Sequence, residues 1–194
     1  MSEFQLYLKL GIEHIADIKS YDHILFILSL CVVYPIKYWK KILVLVTAFT
    51  IGHSLTLALA TFKIIHVDTK LIEFLIPVTI FITASGNLIQ KTDKFNSNLH
   101  TLKYLVALFF GLIHGMGFSN YLSSLLGKTG KLIQPLLAFN IGIEAGQIGI
   151  LIIITVLSLL AIDVFHVKRR EWVLIWSGAA IGVSIVLMIE RFPW

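Results

Sequence analysis

Along the chain, apolar runs alternate with short polar linkers, and the runs fall at residues 22–34, 42–62, 71–90, 102–118, 132–162 and 172–189. A helix that crosses a bilayer needs about 20 mainly apolar residues. The first run is short unless the turn around His14 also enters the membrane. The fifth is 31 residues long and must tilt, kink or emerge. Ahead of the first run, Phe4, Leu6, Leu8 and Leu10 are set against Glu3, Gln5 and Lys9, which predicts a short N-terminal segment over 1–13 lying in the membrane interface. No Pro/Ser-rich linker or low-complexity tract divides the chain. The pattern predicts one all-α domain over residues 1–194, a polytopic membrane protein built as a compact bundle of six transmembrane helices.

Composition strengthens that reading. The chain is 57% hydrophobic and 14% charged, with a mean hydropathy of +0.88. A soluble domain carries roughly 25% charged residues. The net charge of +5 would suggest a nucleic-acid partner in a soluble protein. Here most Lys and Arg stand between apolar runs, where they set topology, and there is no basic helix or Gly-rich phosphate loop, so no nucleic acid is expected. The linkers after the first, third and fifth runs carry nine basic residues (Lys37, Lys40, Lys41, Lys91, Lys94, Lys103, Lys168, Arg169, Arg170), against seven on the other side. The positive-inside rule then leaves both termini outside the cell's inner membrane. A lone cysteine, Cys31, excludes an internal disulfide and a CxxC metal knuckle. Glycines four apart at Gly111/Gly115, Gly142/Gly146 and Gly178/Gly182 predict close helix packing.

Candidate chemistry comes from polar residues that do not belong in hydrocarbon. Asp22 and His23 open the first run, and His53 and Ser54 lie in the second. His114 lies in the fourth, and Asn140, Glu144 and Gln147 in the fifth. A mid-helix carboxylate such as Glu144 costs about 2.5 kcal/mol or more on insertion scales, and apart from Lys103 at the edge of the fourth run no lysine or arginine lies within a run to offset it. With alternating runs, His53 is roughly 14 Å and His114 roughly 6 Å below one membrane face, and Asn140 and Glu144 about 12 and 18 Å below the same face. These residues can therefore converge on one pocket in the outer half of the bilayer. Imidazoles mixed with carboxylates and lacking thiolate suit a divalent metal ion, Ni or Zn best. The expected ligands are His23, His53, His114, Asp22 and Glu144, with His14 and Asp17 as outlying members and Asn140, Gln147 and Ser54 as their support. The plainer alternatives are helix-packing histidines, intrahelical hydrogen bonds from Ser54, Thr50, Thr56 and Thr83, and Asn140 and Gln147 acting as interhelical glue. His66, His100 and His166 fall in or beside loops.

Four stretches, "GIEHIAD…YDHILFIL", "FTIGHSLTLALA", "FGLIHGMGFSN" and "FNIGIEAGQ", occur in an order and spacing that resembles the HupE/UreJ membrane proteins, which are linked to hydrogenase and urease maturation. The resemblance covers most of the chain. It implies a six-helix membrane protein and, in the nickel-linked branch, permease-like metal uptake. Two features differ from the family pattern. Seven residues separate His14 from Asp22 where five are usual, and a single histidine, His114, stands where the nickel branch has two.

Two functions follow as expectations. One is transport of a divalent transition metal, nickel first. The other is a zinc-dependent intramembrane hydrolase acting on a lipid-like or acyl substrate. There the metal would lower the pKa of a bound water to about 7, with Glu144 or Asp22 as general base and Ser54 near a developing oxyanion. An accessory subunit without chemistry would have little use for a buried glutamate. The expected partners are the lipid bilayer and the metal ion.

Overall fold

The computed structural model describes residues 2–18, 21–65, 68–90, 97–126 and 132–193. His66 and the basic residues Lys19, Lys91, Lys94, Lys128 and Lys131 lie outside the described residues. The helices are α1 (Glu3–Ala16), α2 (Asp22–Cys31), α3 (Trp39–Thr61), α4 (Thr69–Ile89), α5 (Ser97–Gly117), α6 (Ser119–Leu126), α7 (Ile133–Leu159) and α8 (Arg169–Glu190). A 3-10 turn at Ile36–Tyr38 precedes α3, and a π turn at Leu160–Val164 extends α7. No strand occurs among the described residues.

Among the described residues, four helical segments are long and apolar enough to cross a membrane: Ile36–Thr61, Thr69–Ile89, Ile133–Val164 and Arg169–Glu190. The expected six-helix count is not met by that measure. The run expected at 22–34 is helical only over Asp22–Cys31, about 15 Å against a hydrocarbon core of about 30 Å. The long fifth run resolves its excess through the π turn.

The N-terminal segment departs furthest from expectation. It is a helix started by a capping box, in which Gln5 N–H donates to Ser2 Oγ (3.2 Å) and Ser2 N–H to Gln5 Oε1 (2.9 Å). It does not lie apart at an interface. Tyr7, Gly11 and Ile15 are buried, and α1 packs lengthwise on α7. A Cβ at Gly11 would collide with the Phe139 carbonyl oxygen, and one at Gly142 with the Leu8 carbonyl oxygen. One turn further on, Gly146 faces Ile12 and Ile15, so α1 and α7 run parallel and α1 ends halfway along α7. Further along, α2 lies beside the second half of α7, where Cys31 shares a cavity wall with Leu151 and Ile154.

A second glycine seam joins α3 to α5, also in parallel. Gly52 meets the Leu108 carbonyl oxygen, Gly111 that of Phe49 and Gly115 that of His53, each closer than a Cβ would allow. The third expected pair behaves differently: nothing lies within 4 Å of the Cβ positions of Gly178 or Gly182. Instead α8 lays its buried Ser177, Ala180 and Ser184 on an antiparallel α4. Arg170 caps the carbonyls of Asn87, Leu88 and Gln90 at one end, and Phe74 meets Phe192 at the other, 5.6 Å between ring centroids. Cations at a helix C-terminus are favourable there. Lys103, on the same face, donates to Asn87 Oδ1 at 3.1 Å.

Candidate metal centre

The end of α1 and the start of α2 carry two histidines. His14 sits in the last turn of α1 and His23 in the first turn of α2, and their ring centroids are 4.7 Å apart. The α3–α5 seam supplies two more. His53 on α3 lies 5.8 Å from the His14 ring and 6.0 Å from that of His23. His114 on α5 lies 5.2 Å from His23. One ring nitrogen each from His14, His23 and His53 falls within 4.8 Å of the other two. Nitrogens bound to one zinc at about 2.0–2.1 Å stand about 3.3 Å apart, so the rings need close by no more than about 1.5 Å.

Hydrogen bonding sets the tautomer of the fourth ring. Thr79 Oγ1 donates its only hydrogen to the Ile76 carbonyl (2.7 Å) and so accepts from His114 Nε2–H (2.9 Å). The lone pair of His114 is therefore on Nδ1, which is buried and without a partner. Metal-ligating histidines characteristically give their second N–H to such a group. His23 Nδ1 and Nε2, His53 Nδ1 and Nε2, and His14 Nε2 are likewise buried and unpartnered. Phe118 lies over His14 at 3.9 Å, and Phe26 and Phe49 flank His114 at 5.2 and 5.1 Å. The centre is thus an apolar box lined with neutral nitrogen donors, and that donor set fits Zn, Ni or Cu.

The carboxylates expected beside these histidines are engaged elsewhere. Asp22 Oδ2 pairs with Arg191 at 2.9 Å, clipping the end of α8 to the start of α2, while its Oδ1 is buried and unpartnered. Glu144 belongs to a separate polar group between α3 and α7. Its Oε1 accepts from Thr47 Oγ1 at 2.7 Å, and its Oε2 is 2.5 Å from Thr50 Oγ1. Thr50 Oγ1 also lies 2.6 Å from Gln147 Oε1. Asn140, one turn from Glu144, has a buried and unpartnered Oδ1. Ser54 is half-buried next to His53. Asp17 is half-buried and lines an outward cleft of about 760 Å³ with Leu10, Glu13, His14, Phe118 and Tyr121.

Several participants escaped sequence reasoning. Thr79 carries no signal in the sequence, and Thr50 reads as an intrahelical bonder, as Thr83 is, donating to the Thr79 carbonyl at 2.8 Å. Thr56 reaches across to the Leu112 carbonyl at 2.8 Å. Arg191 counted only as an outside charge, and it meets Asp22 across 169 residues of sequence separation. Their one available signal was a hydroxyl or guanidinium facing a polar residue on another helix, and helix pairing is not visible in a single sequence. His100 lies near Tyr34, its Nδ1 3.2 Å from the phenol oxygen. His166 is exposed at a left-handed φ of 55°.

Comparison with known proteins agrees with the motifs. No curated protein and no solved structure matches the chain. The family model described as HupE / UreJ protein matches residues 1–191, and the chain belongs to that family.

Proposed function

We propose that this protein captures a divalent transition metal, nickel in the first instance, as its cargo, and carries it across the inner membrane. The observation that carries this reading is the approach of His14, His23 and His53 nitrogens to within 4.8 Å from three helices. The bundle makes six crossings, with both termini outside. α3, α4, α5, α7 and α8 are five of these, and α1 with α2 forms the sixth, interrupted one. Discontinuous helices with ligands at the break, near the membrane midplane, are a recurrent transporter device.

The path in begins at the outward cleft, lined by Asp17 and by Glu13, which pairs with Lys9 at 3.5 Å. His14 forms part of the cleft wall and also belongs to the histidine group, so it hands the ion inward. His14 and His23 stand on different helices, α1 and α2. His114, held by Thr79, is the fourth donor.

A second reading, a zinc-dependent intramembrane hydrolase, is favoured by one observation. The cleft beside His14 is walled by Leu10, Phe118 and Tyr121, which would suit an acyl chain next to a three-histidine centre with an open position. One experiment separates the readings. Bound metal is measured on purified protein by elemental analysis, and nickel and zinc flux are followed in liposomes beside His53→Ala. Transport predicts flux that the substitution abolishes. One tightly held equivalent with no flux would sink transport and leave the hydrolase, and metal-free protein indifferent to His53→Ala would sink both.

A further inference from the structure

The face opposite the outward cleft carries a feature unconnected with the histidines. Between the end of α2, the 3-10 turn, the π turn and the start of α8 lies a cavity of about 180 Å³. Its polar wall consists of Lys37, Arg169, Trp172, Ser158 and Thr155, with Asp163 at the π turn. Adjoining it, between α3 and α7, runs an apolar groove of about 410 Å³ lined by Trp39, Leu43, Ile148, Ile152 and Val156. The two share Ile36, Ile42, Leu151 and Thr155 as common wall. A cationic chamber opening into a greasy channel has the shape of an amphiphile.

We infer that this compound cavity binds one anionic phospholipid, its phosphate in the chamber and an acyl chain in the groove. A guanidinium presents paired N–H groups to phosphate oxygens, and Lys37 adds a second charge. The Trp172 indole N–H is buried without a hydrogen-bond partner, and the Ser158 and Thr155 hydroxyls complete a donor-rich wall. Asp163 offsets one of the two cations. Lys103 and Arg170 add positive charge to the same face, through their contacts at the end of α4. Basic pockets between helices on the cytoplasmic side are suited to anionic headgroups, and Trp39 and Trp172 sit where indoles favour the interface. The π turn has a direct part: by carrying α7 beyond a regular helix it brings Asp163 and the turn into α8 round the chamber. The inference rests on the membrane orientation above and is independent of the metal reading.

The test uses the full-length protein, exchanged from membranes containing phosphatidylglycerol and phosphatidylcholine into detergent. Retained lipid is quantified by native mass spectrometry beside Lys37→Gln, Arg169→Gln and Ile152→Trp. The protein should hold one phosphatidylglycerol, with preference over phosphatidylcholine of roughly tenfold. Lys37→Gln and Arg169→Gln should each erode the preference, and Ile152→Trp should lower retention of both lipids by filling the groove. Lys37 is exposed, so its substitution leaves folding intact and the result readable even where Arg169→Gln does not fold. Equal retention of the two lipids, preference for an ethanolamine headgroup, or retention untouched by Lys37→Gln would overturn the assignment. A protein that binds this lipid but no metal would leave the inference standing while the transport reading fell.

Discussion

Two polar groups lie one helical turn apart on α3, and they have opposite chemistry. His53 belongs to a cluster in which six ring nitrogens of His14, His23, His53 and His114 are buried without partners. Thr50, three residues earlier, belongs to a group in which the Thr47 and Thr50 hydroxyls meet the side-chain oxygens of Glu144 and Gln147. An unsatisfied buried polar atom costs about 1–3 kcal/mol, so six approach the entire stability of an ordinary domain. The histidine cluster therefore keeps its donors open, as a group that could hold a cation requires, whereas every Glu144 oxygen already has a hydroxyl partner and only Gln147 Nε2 and Asn140 Oδ1 beside it are left without one. A polar residue in a membrane helix is thus no sufficient sign of a site. What matters is whether its neighbours already complete it.

The largest expected effect removes the cluster itself. His53→Ala takes away a ligand from the middle of the group and should weaken metal binding at least about 100-fold, since changes to supporting residues alone cost 10–100-fold. Isothermal titration or elemental analysis of purified protein checks this. Thr79→Val is the subtler version. It removes the acceptor that holds His114 in its Nε2–H tautomer and should cost about tenfold in affinity, with rescue by Thr79→Ser. An unchanged affinity in Thr79→Val would exclude His114 from the centre.

The glycine seams separate the two groups by a different route. A Cβ at Gly115 meets the His53 carbonyl and Thr56 Oγ1, so Gly115→Ala must move α5 away from α3 at the level of His53. A loss of about 1–3 kcal/mol is expected from such overpacking, read as a lower melting temperature, together with weaker metal binding. Gly178→Ala meets open space and should be neutral or stabilising by up to about 1 kcal/mol. Equal damage from both would mean that the α3–α5 seam does not position the centre.

These contrasts show what a single sequence carries and what it withholds. Apolar periodicity located the long helices to within a few residues, because burial in lipid demands it of every position. His23, His53 and His114 stood out because imidazole in hydrocarbon has few uses. Depth counting brought them to one level, but depth is one coordinate, and it could not tell which face of α7 looks toward α3. By depth alone Glu144 shares the pocket, and in the fold it lies with Thr47 and Thr50. Asp22, expected as a ligand, gives one of its two oxygens to Arg191. The α1 helix looked interfacial because its hydrophobic pattern is weak; its place on α7 depends on the steric fit of Gly11, Gly142 and Gly146, which hydropathy does not register. The same fit fails for Gly178 and Gly182, with identical spacing, so the motif alone predicts proximity only where a partner backbone arrives.

The smallest expected effect is the sharpest test of the comparison. Thr50 Oγ1 stands at hydrogen-bonding distance from both Glu144 Oε2 and Gln147 Oε1, yet its hydroxyl has one hydrogen. A second donor must come either from the Glu144 carboxyl or from the Gln147 amide turned to present its Nε2. Glu144→Gln satisfies the group in both cases. The new amide oxygen accepts from Thr47 and its NH2 donates to Thr50, which passes its own hydrogen to Gln147. Metal affinity should stay within about twofold, as for independent sites, and the melting temperature should hardly move. Thr50→Val in the same assay should be destabilising by about 1–3 kcal/mol, because it strands Gln147 and one Glu144 oxygen. Should Glu144→Gln instead abolish metal binding as His53→Ala does, the carboxylate would be a ligand after all, and the division between the two groups would fail.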